Sequence, residues 1–247
     1  MRIAICGKGG SGKSTIAGAL SRQLARRGHK VIAVDADPNP NLGLSLGVSR
    51  ETVETMRPIL NALLDAGHTH NDPTPRAEDL LDHYGVDAPE GVRLVATGKI
   101  ERPSDACLCC GSHNTTRQFF GGLADDDRVV VADLEAGLND LIWAHPGPSD
   151  VVLAVSEGSE KSVEIARRAV VVARELGVTR IIGVANRSVS DTHRAQLADE
   201  LGVGEVFSVP EDPAVETADH RGVAPMDADP GSPAMVAVSE LADLIVK

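Results

Sequence analysis

Eight consecutive residues near the start of the chain, Gly7-Lys8-Gly9-Gly10-Ser11-Gly12-Lys13-Ser14, followed by Thr15, fit the pattern G-x-x-x-x-G-K-[S/T]. The run lies between a short apolar stretch, Arg2–Cys6, and a helical apolar period from Ser14 to about Arg27 that Gly28 closes. Strand, glycine-rich turn and helix, in that order, are the context the motif requires. Its physics is direct. Glycines let successive backbone N–H groups point inward at phosphate oxygens, and the helix N-terminus adds partial positive charge. Gly9, Gly10, Ser11, Gly12 and Thr15 form the cradle, Lys13 reaches the β- and γ-phosphates, and the Ser14 hydroxyl ligates Mg²⁺.

The remainder of the chain repeats that alternation. Apolar strands are expected at Val31–Val34, Val92–Thr97, Val129–Ala132, Val151–Val155, Arg180–Ala185 and Glu205–Val209. Helices are expected at Glu160–Leu176, Asp191–Leu201 and Pro233–Val246, with one more near Thr52–Leu64 inside a polar, Pro-containing segment, 48–90, that reads as an insertion. Unbroken apolar strands alternating with helices predict an α/β fold, a mostly parallel central sheet with helices on both faces, in a single domain over 1–247. Ligands in such sheets bind beyond the carboxyl ends of the strands, where every motif here falls.

Charge and composition exclude other classes. With 24 Lys and Arg against 36 Asp and Glu, the formal charge is −12, which disfavours nucleic acid as a partner. The aromatics number only five (Tyr84, Phe119, Phe120, Trp143 and Phe207), too few for a base-stacking platform. A local basic patch of Arg22, Arg26 and Arg27 is the one feature that could serve DNA. No apolar run is long enough for a signal peptide or a membrane span, and the last residues, Ser239–Lys247, carry one lysine and two acids rather than a basic amphipathic anchor. Cys107, Cys109 and Cys110 sit too close together to staple distant parts of a secreted fold. The expectation is a cytoplasmic protein with reduced thiols that binds neither nucleic acid nor membrane.

Acids at strand ends supply the rest of a nucleotide site. Asp133 follows Val129–Ala132 as a Walker B acid would, holding Mg²⁺ directly or through water, and Gly137 would donate its N–H to the γ-phosphate. Asp35 and Asp37 close the second strand; Asp35 is either a partner of the Mg²⁺ shell or a strand-end cap. In Asn186-Arg187-Ser188-Val189 a valine holds the position where a guanine-reading site needs an aspartate, which favours ATP over GTP.

The segment Lys8–Ser14, with its early second lysine, resembles the deviant phosphate loop of the MinD/ParA/nitrogenase-iron-protein group of ATPases. The resemblance implies that Lys8 crosses a homodimer interface to the partner's nucleotide, as an arginine finger would. It implies that Asp37, before Pro38, positions the attacking water and shares in Mg²⁺ binding, that Asn186 reads the adenine edge, and that Pro210-Glu211-Asp212 forms the loop over the base.

The run Ala106-Cys107-Leu108-Cys109-Cys110-Gly111 carries the second chemistry. Thiolates suit zinc, nickel or iron–sulfur centres. One Cys-x-Cys pair cannot complete a tetrahedral site, but two copies on a two-fold axis can; Cys110 and His113 are candidate extra ligands. The alternative is that these are small core residues, as Cys6 is expected to be. Cys-x-Cys ahead of a second switch reading Asp133-Leu134-Glu135-Ala136-Gly137 resembles the CooC-type ATPases, which serve maturation of nickel carbon monoxide dehydrogenase. The resemblance spans Met1–Gly47 and roughly Val92–Lys247. It implies metal at the dimer interface on Cys107 and Cys109, Zn²⁺ or Ni²⁺ before an iron–sulfur cluster, slow Mg²⁺-dependent ATP hydrolysis stimulated by dimerisation, and a client metalloenzyme. Cys110 and Trp143-Ala144-His145-Pro146 depart from that pattern. The alternatives are a MinD- or ParA-type positioning ATPase and an electron-transfer ATPase like the nitrogenase iron protein, which needs a cysteine after Cys110 that this chain lacks.

Overall fold

A computed structural model describes residues 1–69, 72, 75–100, 115, 117–123, 126–136, 149–188 and 191–247. Eight strands form one sheet: β1 (Arg2–Gly7), β2 (Val31–Asp35), β3 (Val86–Asp87), β4 (Arg93–Ala96), β5 (Val129–Asp133), β6 (Val151–Ser156), β7 (Arg180–Ser188) and β8 (Glu205–Pro210). Their order is β3-β4-β2-β5-β1-β6-β7-β8. Every pairing is parallel except that of the two-residue edge strand β3 with β4. The expected mostly parallel sheet is therefore present.

Alternation along the strands sorts side chains onto two cores. Ile3, Ile5, Val31, Ala33, Val129 and Val131 face one layer, where α1 (Lys13–Arg26), α2 (Leu42–Leu46), α9 (Pro225–Ala228) and α10 (Pro233–Ile245) pack. Ala4, Cys6, Ile32, Val34, Val130 and Ala132 face the other, covered by α4 (Ile59–Asp65), α5 (Ala77–Tyr84), a helical stretch at 117–122, α6 (Glu160–Glu175) and α7 (Asp191–Leu201). Because both faces are covered, β2 and β5 are buried at every position. At about 25 cal/mol per Å² of apolar surface, each fully buried Leu or Ile of these layers contributes on the order of 1.5–3 kcal/mol before conformational entropy is subtracted.

The segment 48–90 departs from the sequence reading. The single helix expected near Thr52–Leu64 is two helices, α3 (Arg50–Thr55) and α4, because Pro58 lacks an N–H and excludes helical geometry from the residue before it. Met56 leaves the first helix with ψ 129°. Nor is the segment an appendage: Val48 and Ala88 join one core, while Ile59, Ala77, Leu80 and Leu81 join the other. Among the described residues, β3, α2, α5, the helical stretch at 117–122, α8 (Pro213–Arg221) and α9 had no counterpart in the reading. The strand expected to stop at Ala185 continues to Ser188 through a bulge that takes Asn186 and Arg187 out of register with β8. Among the described residues no helix is long and apolar enough to cross a membrane.

Candidate nucleotide site

The phosphate loop rises from the carboxyl end of β1 and turns into α1. Ser11 N–H donates to the Lys8 carbonyl (3.1 Å) and Ile16 N–H to the Gly12 carbonyl (3.0 Å), which closes the turn and begins the helix. Gly12 has φ +94°, and a Cβ there would stand 2.1 Å from Nδ2 of Asn186. At Gly7 a Cβ would stand 2.3 Å from the Val155 carbonyl oxygen of β6. Both positions thus exclude any side chain, one by conformation and contact, the other by a neighbouring backbone. Lys13 is 6% exposed and makes no salt bridge among the described residues, and Ser11 Oγ is buried without a hydrogen-bond partner among them. A buried, unpaired ammonium beside an orphaned hydroxyl suits an anionic ligand.

Two carboxylates stand beside the loop. Asp35 and Asp133 end adjacent strands and pair directly in register, each 1% exposed. Burial, and next the neighbouring Asp133, push the Asp35 carboxyl well above the ordinary range. Asp35 also accepts N–H bonds from Leu42 (2.9 Å) and Asp37 (3.3 Å), so it orders the turn into α2. Of the two roles left by sequence, the cap is present, next to a partner acid. Two acids forced together at the carboxyl edge are chemically suited to a divalent cation, which fits the expectation of Mg²⁺ on Asp133. Asp37 lies just beyond β2, half-buried, its Oδ1 accepting from Asn39 N–H at 2.8 Å. Ala136 of the second switch lies against the loop, its Cβ 3.5 Å from where one on Gly9 would be. Gly137 lies outside the described residues.

Beside the phosphate loop lies a cleft of ≈ 460 Å³ bounded by Thr15, Ile16, Asn186, Glu211, Met235 and Val238 among others, with Pro210 and Asp212 also at its wall. The sequence reading placed Asn186, Pro210, Glu211 and Asp212 together, and they are together. Two of them have further duties. Asn186, 8% exposed, donates its Nδ2 to the Ser11 carbonyl at 2.7 Å and so braces the phosphate loop. Asp212 receives Ala214 N–H on one carboxylate oxygen and Ala234 N–H on the other, both at 2.9 Å, joining the starts of α8 and α10. Its burial would raise the carboxyl's pKa, but these N–H donors prevail and hold it below the usual range.

Lys8 reaches sideways rather than into its own loop: Nζ is 3.0 Å from Oε1 of Glu157. Sequence reading missed Glu157, although it follows the apolar strand β6 at the edge where ligands bind. It also missed Arg187, a cleft-lining residue with φ +51°.

The proposed metal ligands Cys107, Cys109, Cys110 and His113, and the departing run Trp143–Pro146, lie outside the described residues. Among the described residues no group of three or more His, Cys, Asp or Glu is arranged to hold a metal ion. Cys6 is a core residue, fully buried, its thiol pushed up to about 12 by burial. The arginine patch does not exist as free charge. Arg22 is buried on Glu90 and Asp227, Arg26 shares Glu90, and Arg27 pairs with Asp243 at 2.7 Å.

A profile of the CobQ/CobB/MinD/ParA nucleotide binding domain matches residues 3–226. The carbon monoxide dehydrogenase accessory protein CooC of Rhodospirillum rubrum is 31% identical, covering 93% of this chain and 91% of that protein. An uncharacterized ATP-binding protein of Methanocaldococcus jannaschii is 33% identical over 100% of this chain and 98% of its own. In three dimensions the chain superposes on the septum site-determining protein MinD of Pyrococcus horikoshii, solved with Mg-ADP, with a TM-score of 0.77, 20% identity and coverage of 100% and 96%. A ParA family ATPase of Chlorobium tepidum gives 0.75, 18% identity and coverage of 98% and 97%. The last two similarities speak to fold.

Proposed function

The chain belongs to the CobQ/CobB/MinD/ParA nucleotide-binding family and is CooC-like in sequence, and from that premise we propose an ATP-driven dimerising switch that carries a transition metal to a client metalloenzyme. The observation that supports the ATPase half is Lys13, buried and without a salt bridge among the described residues, on a phosphate loop that Asn186 braces, at the sheet edge where the Asp35–Asp133 pair also ends. Backbone N–H groups of Gly9–Gly12 and the Lys13 ammonium bind the β- and γ-phosphates. Ser14, Asp133 and Asp37 would hold Mg²⁺, which supplies charge neutralisation between the phosphates when bound. Asp37 orients a water in line with the γ-phosphorus; the new P–O bond forms as the bond to the ADP oxygen breaks, and the water's proton passes to the carboxylate or the departing phosphate. Lys8 of a second copy adds positive charge where the transferred phosphoryl gains anionic character. Turnover is accordingly slow in a single subunit and rises on dimerisation.

The metal half rests on the Cys107-x-Cys109 pair in sequence and on the similarity to CooC. Thiolates from two copies bind Zn²⁺ or Ni²⁺ on the two-fold axis, and Gly137 links loss of the γ-phosphate to release of the interface. Reconstitution of reduced protein with each metal tests it directly. About one ion per dimer, lost in Cys107→Ser, is the expected result; no uptake by the reduced wild type overturns the metallochaperone reading and leaves the ATPase.

A further inference from the structure

We propose that Asn61 is a positioning residue for Asp37: from α4 its side-chain amide fixes the backbone that lies along the turn bearing Asp37, and so holds that carboxylate where it orients water. The inference rests on the reading of Asp37 as the water-orienting acid.

Asp37 stands just beyond the end of β2, and the chain from Asp35 to Pro38 is held there from two sides. On the β5 side Ala36 N–H donates to the Asp133 carbonyl at 3.0 Å. On the β4 side the residues just past that strand, 97–100, run along the turn. Thr97 N–H donates to the Asp35 carbonyl (2.9 Å) and Ile100 N–H to the Pro38 carbonyl (3.1 Å). Those two carbonyls flank Asp37 in the chain. Its place therefore depends on where the 97–100 backbone lies.

That backbone is fixed in turn by α4. Leu60 N–H belongs to the first turn of the helix, where donors have no partner inside it, and donates to the Thr97 carbonyl at 2.9 Å. Asn61 presents both halves of its amide to a single residue: Nδ2 donates to the Lys99 carbonyl and Oδ1 accepts from Lys99 N–H, each at 2.9 Å. A residue on a neighbouring strand would satisfy Lys99 in the same way. The task needs a donor and an acceptor on one planar group, which is what an amide supplies. Asn is also a poorer helix former than Leu or Ala, and its side chain ordinarily bonds to backbone close by. Here it reaches across 38 positions of sequence. Through this bracket the segment 48–90 bears on the nucleotide site.

The test uses the full chain, comparing wild type, Asn61→Ala and the isosteric Asn61→Asp for ATP hydrolysis with Mg²⁺, at protein concentrations where the rate per subunit has levelled off. Asn61→Ala removes both bonds; Asn61→Asp keeps the shape but sets a carboxylate oxygen against the Lys99 carbonyl. A displacement of about 1 Å at a reacting group costs on the order of 100-fold, so kcat is expected to fall by about ten- to 100-fold in both variants. KM for ATP and Kd for Mg-ADP are set by the phosphate loop and are expected to stay within about two-fold of wild type, which also shows that the variants are folded. A role in packing alone would leave Asn61→Asp as active as wild type. In an Asp37→Ala background, Asn61→Asp is expected to take nothing further from the residual rate, because it acts through Asp37. Wild-type kcat in Asn61→Asp, a parallel loss of Mg-ADP affinity, or an undiminished effect in the Asp37→Ala background overturns the positioning role. Hydrolysis by Asp37→Ala at the wild-type rate instead overturns the reading of Asp37 on which that role depends, so the two failures are told apart.

Discussion

Asp35 and Asp133 face each other across the β2–β5 ladder, each 1% exposed, at the sheet edge from which the phosphate loop rises. Two buried carboxylates so placed oppose one another. Asp133→Asn removes one charge and preserves shape. It is expected to stabilise the protein without nucleotide by about 1 kcal/mol, a rise of about 2–4 °C in melting temperature for a chain of this size. The same change is expected to lower Mg-ATP hydrolysis by about 100-fold or more. Thermal melts and phosphate release check the two halves; a variant both less stable and fully active contradicts this account.

Gly12 and Asn186 are coupled by contact. Gly12→Ala adds a Cβ at 2.1 Å from the Asn186 amide nitrogen, at a backbone φ of +94°. It must displace the side chain that donates to Ser11, so strain and a lost hydrogen bond add to about 3–4 kcal/mol, and Mg-ADP affinity is expected to fall by more than about 100-fold. Asn186→Ala loses only the bond to the loop, about 1–2 kcal/mol, with affinity down about ten-fold. In the double variant the clash is gone, so its stability is expected to exceed that of Gly12→Ala alone. Calorimetric titration with Mg-ADP and melts of all three variants measure this.

How much of this was legible beforehand follows from how local each signal is. The phosphate loop, the strand-end acids Asp35 and Asp133 and the β–α alternation are written in contiguous residues, and the parallel sheet with two helical layers follows from them. Glu157 was not legible as Lys8's partner, because 149 positions separate them and only the β1–β6 pairing brings them together. The split of the expected helix at Pro58 was legible and overlooked; the residue type alone dictates it. So was α8, announced by Asp212 as N-cap and Pro213 at the first helical position. The bulge that turns Asn186 toward the phosphate loop has no sequence signature, since neither Asn186 nor Arg187 is a residue that bulges demand.

The segment 48–90 is fastened to α1 by charge as well as by packing. Arg22, its side chain 4% exposed, pairs with Glu90 at the end of that segment and with Asp227 in α9. Arg22→Met roughly keeps volume and removes the charge, leaving Asp227 without its cation and Glu90 with Arg26 alone. Breaking a buried pair from one side costs about 3–5 kcal/mol; with Asp227 40% exposed the expected loss is about 2–3 kcal/mol, or about 4–12 °C in melting temperature. Adding Asp227→Asn is expected to recover part of it, because Asp227 is the carboxylate that loses its cation while Glu90 keeps Arg26. Melting curves of the single and double variants decide, and equal stability of Arg22→Met and wild type would mean that packing alone holds the segment.

Cys6 sets an alkaline limit on stability. Burial pushes its thiol from 9.0 up to about 12, against a smaller opposing pull from Lys13. A folded-state pKa raised above the unfolded value means that the unfolded chain releases this proton first. The contribution is therefore intact below pH 9 and is lost as pH rises from there toward about 12. Across that window this one group removes up to about 1.4 kcal/mol per pH unit. Cys6→Ala loses about 1 kcal/mol at neutral pH through the space vacated in the core, yet its stability is expected to fall less steeply with alkali. Cys107, Cys109 and Cys110 are present in both proteins and cancel in the difference. Urea unfolding at stepped pH measures the two slopes; parallel lines for wild type and Cys6→Ala would show that the buried thiol does not titrate on unfolding as described.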